Sequence, residues 1–170
     1  SQLQKLVKEV EAGMDAYDLS LAVEPFVGFI DQLTNWYIRR SRRRFWSEED
    51  TPDRKEAFET LYYVLLTLSK IAAPFVPFIS DAIYQNLRDV DSPESVHLAL
   101  FPEYHGAFRD EDLEKGMEAI QRAVSLGHSL RKEHKLKVRQ PLRKAFVACN
   151  DEEALRFMES QKHLIMDELN

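Results

Sequence analysis

The stretch Asp53-Arg-Lys-Glu-Ala-Phe-Glu-Thr-Leu-Tyr-Tyr-Val-Leu-Leu-Thr-Leu-Ser-Lys-Ile-Ala72 decides the fold class. Asp53 and Glu56 have the spacing of a capping box, and Pro74 ends the pattern because a residue before proline avoids the α region. We therefore predict a helix from Asp53 to about Ala72, and the apolar residues on its other faces predict that it is the most buried one. Apolar side chains recur in it at steps of three and four residues, the period of a helix with a buried face: Phe58, Leu61, Tyr62, Leu65, Leu68 and Ala72.

The same period recurs on both sides of this stretch. Residues 89–109 carry no such period and predict a connector, whereas Lys144–Ala148 predicts a short strand and Asp151 the N-cap of another helix. The predicted fold is thus an all-α helical bundle over residues 1–143, followed by the start of a short α/β segment over residues 144–170. The further predicted helices are Leu3–Met14, Ser20–Arg44, Pro77–Leu87 and a long one from about Asp110 with Leu113, Met117, Ile120, Val124 and Leu130.

Composition sets the class of protein. The chain has 170 residues, of which 44% are apolar, and this is enough for one core. The one cysteine, Cys149, excludes a disulfide framework and fits a reducing compartment, so we expect a cytoplasmic protein. The longest apolar run, Leu61–Leu66, is far shorter than the roughly 20 residues that span a membrane, so we expect no membrane partner. We also expect a monomer. Because Ser1 is neither an initiator methionine nor part of a signal segment, we expect the chain to be cut from a longer protein.

The sequence offers little for catalysis. Glu94-Ser-Val-His97 has the spacing of one metal-ligand pair, but carboxylate-bridged metal bundles need two such pairs on facing helices. Cys149 has no histidine beside it in the sequence, so a small buried side chain is the simpler interpretation. No glycine-rich phosphate loop is present. We therefore predict no catalytic, cofactor or metal site within these residues.

The charges are unevenly distributed. The net charge is −6, yet two clusters hold 12 of the 23 basic residues. At a Debye length of about 8 Å in physiological salt, each cluster acts locally instead of being cancelled by the acidic remainder. The arginine cluster comprises Arg39, Arg40, Arg42, Arg43 and Arg44, and the second cluster comprises Arg131, Lys132, Lys135, Lys137, Arg139, Arg143 and Lys144.

The arginine cluster cannot lie in a core. At about 100° per residue from Tyr37, Arg40 and Arg44 continue the apolar stripe, while the other three arginines lie at its edge or behind it. An unpaired buried charge costs on the order of several kcal/mol, so the helix must extend beyond the apolar core. We predict that part of the cluster contacts phosphate, for which the guanidinium fork is suited. The alternative is an internal ion-pair network with nearby acids: Glu48, Glu49 and Asp50.

Aromatic residues on both sides of the arginine cluster suggest RNA. Single-stranded RNA loops stack bases on aromatic rings while cations hold the backbone. Trp36 is better explained as a core residue, whereas Trp46 lies beyond the stripe and is a candidate for stacking. The second cluster leaves a helix end for a proline-containing loop; it is either a solvated charge run or a contact to RNA or another domain. Its candidate binding residues are Lys135, Lys137 and Arg139.

Five segments together carry a family resemblance: Leu33-Thr-Asn-Trp-Tyr-Ile-Arg-Arg-Ser-Arg-Arg-Arg-Phe-Trp46, Ala73-Pro-Phe-Val-Pro-Phe-Ile79, Ser95-Val-His-Leu98 with Phe101-Pro102, Leu136-Lys-Val-Arg-Gln-Pro-Leu142 and Ile165-Met-Asp-Glu-Leu-Asn170. They resemble the anticodon-binding region of class I isoleucyl-tRNA synthetases. The Ala-Pro-Phe-x-Pro-Phe block is shared with valyl and leucyl relatives, but the arginine-rich block is more specific to isoleucyl enzymes. In that family the last segment continues into a strand.

The resemblance implies a helical bundle that holds the anticodon stem-loop of tRNA(Ile) and packs with other domains of the same synthetase. The parent enzyme would use ATP and Mg²⁺ to ligate isoleucine to tRNA. The family's His-Ile-Gly-His and Lys-Met-Ser-Lys-Ser signatures are absent here, so the resemblance implies a non-catalytic fragment without its own cofactor. The alternatives are the same module of a valyl or leucyl enzyme, or a helical interaction bundle that binds an acidic protein. The tRNA-binding candidates are Arg39, Arg40, Arg42, Arg43, Arg44, Trp46, Lys135, Lys137 and Arg139.

Overall fold

The computed structural model describes all 170 residues, which form helices and connecting loops without a β-strand. This confirms the prediction of an all-α fold. The chain divides into two compact units, Ser1–Arg109 and Asp110–Asn170. The domain boundary predicted after residue 143 lies inside the second unit and stays a prediction. None of the helices is long and apolar enough to cross a membrane.

The first unit contains five α-helices and three other helical segments. The predicted single helix Ser20–Arg44 is interrupted, because a π-helical segment, Gln32–Ile38, follows α2 and a turn at Ser41 precedes α3. Two short 3₁₀ turns, Val96–Leu98 and Gly106–Phe108, lie in the predicted connector. The α-helices are α1 (Gln2–Asp15), α2 (Leu19–Asp31), α3 (Arg42–Phe45), α4 (Pro52–Ala72) and α5 (Pro77–Leu87).

The core of the first unit is built on α1. Its buried apolar side chains pack with Phe26 of α2 and Ile71 of α4. Asp18 begins α2 by accepting a hydrogen bond from the Leu21 N–H at 3.0 Å. The two helices approach closely at Gly13, where a Cβ atom would lie 2.6 Å from the main-chain nitrogen of Ala22. The α1 side chains of this core are Leu3, Leu6, Val7 and Val10.

The helix α4 differs from its prediction in two respects. Its N-cap is Thr51, whose hydroxyl accepts from the Arg54 N–H at 3.2 Å, so Asp53 lies in the first turn instead. Pro52 occupies the first helical position, where a missing N–H costs no hydrogen bond. Phe58, on the predicted buried stripe, is 46% exposed, and α1 is more buried than α4. The apolar residues of α4 lie on several faces, and its neighbours α1, α3 and α5 do not cover all of those faces.

A polar contact attaches the connector to α5. Asp81 accepts hydrogen bonds from the Val96 N–H at 2.9 Å and the Ser95 hydroxyl at 2.8 Å. These two bonds hold the pKa of Asp81 below its ordinary value of 3.8. Tyr84 of α5 is buried against the connector, whereas Phe78 of the same helix is 90% exposed.

The second unit consists of α6 (Glu111–Glu133), α7 (Glu152–Ser160) and α8 (Lys162–Leu169). The buried stripe of α6 differs from the predicted stripe, since Leu113 and Leu130 are exposed. The stripe includes two glycines at close approaches: Gly116 faces the Phe157 ring of α7, and Gly127 faces Leu169 of α8. The side chains between and beyond these glycines on the stripe are Ile120, Val124 and Arg131.

The predicted strand Lys144–Ala148 is wrong. These residues have no regular structure, and Phe146 is 92% exposed. An isolated strand has no partner for its main-chain groups, and no other segment of this chain supplies one. The predicted helix start is confirmed, because the Asp151 carboxylate accepts from the N–H groups of Glu153 and Ala154. The segment Ile165–Asn170 lies almost wholly in α8.

Gly13→Ala is expected to lower the free energy of unfolding of the first unit by about 1–3 kcal/mol, because the new methyl group meets rigid main-chain atoms of Ala22. Gly28→Ala is the matched control, since nothing lies within 4 Å of its added Cβ atom in α2. It should stabilise by about 0.5–1 kcal/mol through helix propensity. Urea unfolding of both variants checks the pair, and equal stabilities would contradict the close packing of α1 on α2.

Candidate nucleic-acid interface

The arginine cluster lies directly after the π-helical segment and continues through α3. No residue of α3 is buried, so this part of the chain extends beyond the apolar core, as predicted. Ser41 is buried in the turn that joins Arg40 to α3. The Nε of Arg39 donates to the Asn35 carbonyl at 2.8 Å, which holds this side chain along the helix.

Arg40 and Arg44 are the two half-buried members, as their position on the apolar stripe predicts. The Arg40 guanidinium lies over the Trp36 ring, 5.3 Å from its centroid. Trp36 is itself half-buried, so it supports the helix end instead of offering a free ring face. Arg40 is thus held by its own helix.

Arg44 is bound to α4 through Asp53. Its Nε donates to Oδ2 at 2.9 Å, and its Nη2 lies 2.8 Å from Oδ1 and donates to the Asp53 carbonyl at 3.0 Å. The alternative prediction of an internal ion pair therefore holds for Arg44, although its partner is Asp53 and not Glu48, Glu49 or Asp50. Asp50, one of those three, pairs with Lys55 at 2.9 Å. Arg44 is the least available member of the cluster for phosphate.

Arg42, Arg43 and Trp46 form an open surface. Both arginines are exposed, and no carboxylate of the chain pairs with either. The Arg42 guanidinium lies 5.6 Å from the centroid of the Trp46 ring, which is 75% exposed. The cluster therefore presents two cations beside a flat apolar ring, which is the combination that single-stranded RNA requires.

The second candidate surface is the basic loop, residues 135–140, which follows α6. Lys135, Lys137 and Arg139 are all exposed there. Lys135 has φ 53°, in the left-handed region, where a side chain costs roughly 1–2 kcal/mol and glycine is preferred. The Leu136 N–H donates to the Arg131 carbonyl at 2.8 Å, closing the helix end. The Lys135 N–H also donates to the Lys132 carbonyl at 3.2 Å, so the left-handed residue completes the turn that ends α6 and begins the basic loop.

Arg131 is a residue that cluster counting misjudges. It belongs to the second basic cluster, yet it is 3% exposed and cannot contact RNA. Its guanidinium donates to the carbonyls of Lys137 and Gln140 at 2.9 and 3.0 Å, and to main-chain oxygens of Leu169 and Asn170. It thereby holds the basic loop in shape. Arg131 lies four residues after a member of the buried stripe of α6, and this spacing could have identified it as an inward-facing side chain.

The exposed side chains of these two surfaces are suited to binding. The chain has no group of three or more His, Cys, Asp or Glu side chains suited to hold a metal ion. Cys149 is a half-buried free thiol. The exposed candidates are cations and an indole, which bind polyanions and flat bases.

Comparison with known proteins agrees with this chemistry. The family described as the anticodon-binding domain of tRNA ligase matches residues 1–146. The chain belongs to this anticodon-binding domain family. Both candidate surfaces of the anticodon-binding domain, at residues 39–46 and 135–140, lie inside the matched range.

Three relatives of this anticodon-binding domain are isoleucine–tRNA ligases. That of Protochlamydia amoebophila strain UWE25 is 66% identical over all 170 residues. Those of Chlamydia pneumoniae and Chlamydia trachomatis serovar A are 54% and 52% identical over the whole chain. The chain spans 16% of the length of each of these relatives.

Lys135→Gly in the anticodon-binding domain is expected to raise the free energy of unfolding of the second unit by about 1 kcal/mol, because it relieves the left-handed strain. If the basic loop binds RNA, the same variant weakens binding to tRNA, since it removes a cation. Urea unfolding and filter binding measure the two effects. Lys137→Gly is the matched control, because it removes a cation from the same loop at a residue without positive φ. A Lys135→Gly variant no more stable than the Lys137→Gly variant would contradict the strain.

Proposed function

We propose that this chain is the part of an isoleucine–tRNA ligase that binds the anticodon stem-loop of tRNA(Ile). The observation that carries the proposal is the open surface of Arg42, Arg43 and Trp46 on a member of the anticodon-binding domain family. The names of its relatives support isoleucine as the amino acid.

The proposed contribution to the ligase is binding energy. Contacts to the anticodon arm are remote from the amino acid that is transferred. Remote contacts raise turnover when they hold the acceptor end in the geometry of the reaction. The exposed guanidiniums would fix the phosphate backbone, and Trp46 would stack on a base of the loop.

The remaining expectations belong to the same proposal. ATP and Mg²⁺ would act in parts of the ligase outside these 170 residues, because the sequence lacks both signatures of the catalytic region. Other domains of the same ligase would be partners, and we expect a monomeric protein of the cytoplasm. The proposed RNA contacts are those of the exposed candidates: Arg39, Arg42, Arg43, Trp46, Lys135, Lys137 and Arg139.

Changing both Arg42 and Arg43 to Ala is expected to weaken tRNA(Ile) binding, since two phosphate contacts are lost. The logarithm of the binding constant of the unchanged chain should fall linearly with the logarithm of the salt concentration, and the double variant should reduce that slope by about 1.4–1.8. Filter binding with tRNA(Ile) and tRNA(Val) at several salt concentrations measures this.

The matched control changes Arg122 and Arg156 to Ala, two exposed arginines outside both clusters. It should leave the slope unchanged. Equal affinity of the Arg42/Arg43 variant and the unchanged chain, with the same circular dichroism, would refute the proposal. Preference for tRNA(Val) would indicate the valyl module, and binding to poly-glutamate but not to RNA would indicate an acidic protein partner.

A further inference from the structure

The surface around Trp46 continues onto α4. The Phe45 ring packs edge-on against the Phe58 ring, with centroids 5.2 Å apart. The Arg54 guanidinium lies over Phe58, 5.4 Å from the ring centroid. Two guanidinium–aromatic pairs, Arg42 with Trp46 and Arg54 with Phe58, are thus linked through Phe45.

Arg54 is a cation without an internal counterion. Its Nε is buried and has no hydrogen-bond partner, and no carboxylate of the chain pairs with its guanidinium. Two acids that precede it in the sequence are occupied, Asp53 by Arg44 and Asp50 by Lys55. A partly buried guanidinium without a carboxylate favours an external anion, because part of its hydration is already lost.

The two pairs are held in a fixed frame. Arg44 binds Asp53 through two carboxylate oxygens and the carbonyl, which attaches α3 to the first turn of α4. The Tyr37 hydroxyl also donates to the Ala57 carbonyl at 3.4 Å, one turn further along α4. Because α3 and the π-helical segment are both attached to α4, the distance between the Arg42–Trp46 pair and the Arg54–Phe58 pair does not depend on mobile loops.

We infer that the RNA-binding surface extends from α3 onto α4, with Arg54 on a phosphate and the Phe58–Arg54 pair stacked on a second base. Arg44 then acts as a positioning residue rather than as a phosphate contact. The inference rests on the proposed function. A surface on which flat rings and cations alternate matches single-stranded RNA, in which bases and phosphates alternate. An acidic peptide would require only the positive charges.

The test uses the 170-residue chain and a transcript of the tRNA(Ile) anticodon stem-loop. Arg54→Gln is expected to lower the salt slope by about 0.7–0.9, the value for one phosphate contact, whereas Arg54→Lys retains most of it. Arg156→Gln is the control for a lost surface arginine, since Arg156 pairs with Glu152 on α7. Arg44→Gln should weaken binding with a smaller change of slope.

Phe58 is tested through its ring. Phe58→Leu keeps an apolar side chain against Phe45 but removes the stacking surface, and should weaken binding about 5- to 100-fold. Phe58→Tyr should bind as the unchanged chain does. Phe78→Leu on α5 is the matched control, because Phe78 is a highly exposed phenylalanine outside this surface. Abasic nucleotides are placed one at a time through the loop, and at one position the loss should weaken binding of the unchanged chain without further weakening binding of the Phe58→Leu variant.

The outcomes separate the two proposals. If the Arg42/Arg43 variant loses RNA binding while Arg54→Gln and Phe58→Leu bind normally, the inference is overturned and the proposed function stands. If none of these variants changes RNA binding, both fail. Equal losses for RNA and for poly-glutamate, with no effect of abasic nucleotides, would overturn the inference in favour of an acidic protein partner.

Discussion

The contact of Arg44 with Asp53 supports the binding surface proposed on α3 and α4. The helix α3 has four residues and none is buried, so neither helix propensity nor packing can hold it alone. Asp53 fixes it by accepting from a guanidinium that reaches both carboxylate oxygens and the main chain. An exposed ion pair contributes little to stability, about 0–1 kcal/mol. Its value here is geometric, because a bidentate contact fixes direction as well as distance.

Hydrophobic periodicity predicted helices where α1, α2, α4, α5, α6 and α7 lie, but it did not predict α8. The 100° step placed Arg40 and Arg44 on the inner side. Other features were beyond its reach for identifiable reasons. The π-helical segment has no pattern of its own. Asp53 was assigned to a cap from its spacing to Glu56, and the sequence does not show that its carboxylate binds Arg44 instead. Gly116 and Gly127 lie on the buried stripe of α6, yet a residue without a side chain adds nothing to a hydrophobic period. The strand was predicted from the local sequence alone, which carries no information about a pairing partner.

Arginines of the two basic clusters serve opposite purposes in this chain. Arg131 is buried, and main-chain oxygens of four residues offset its lost hydration. Arg42 and Arg43 remain exposed and without an acid. Counting charges in a sequence treats these side chains alike, since the distinction depends on which carbonyls the fold brings within reach. The useful quantity for identifying a polyanion surface is therefore the number of cations that the chain itself does not neutralise.

The π-helical segment Gln32–Ile38 also bears on how this region can change in length. A π-turn holds one residue more between its bonded groups than an α-turn does. Loss of a single residue there would let the helix close with ordinary α-turns, while the flanking residues kept their directions. Homologous proteins could thus gain or lose one position at this point without redirecting the guanidiniums that follow, which makes the segment a tolerance point for insertions and deletions.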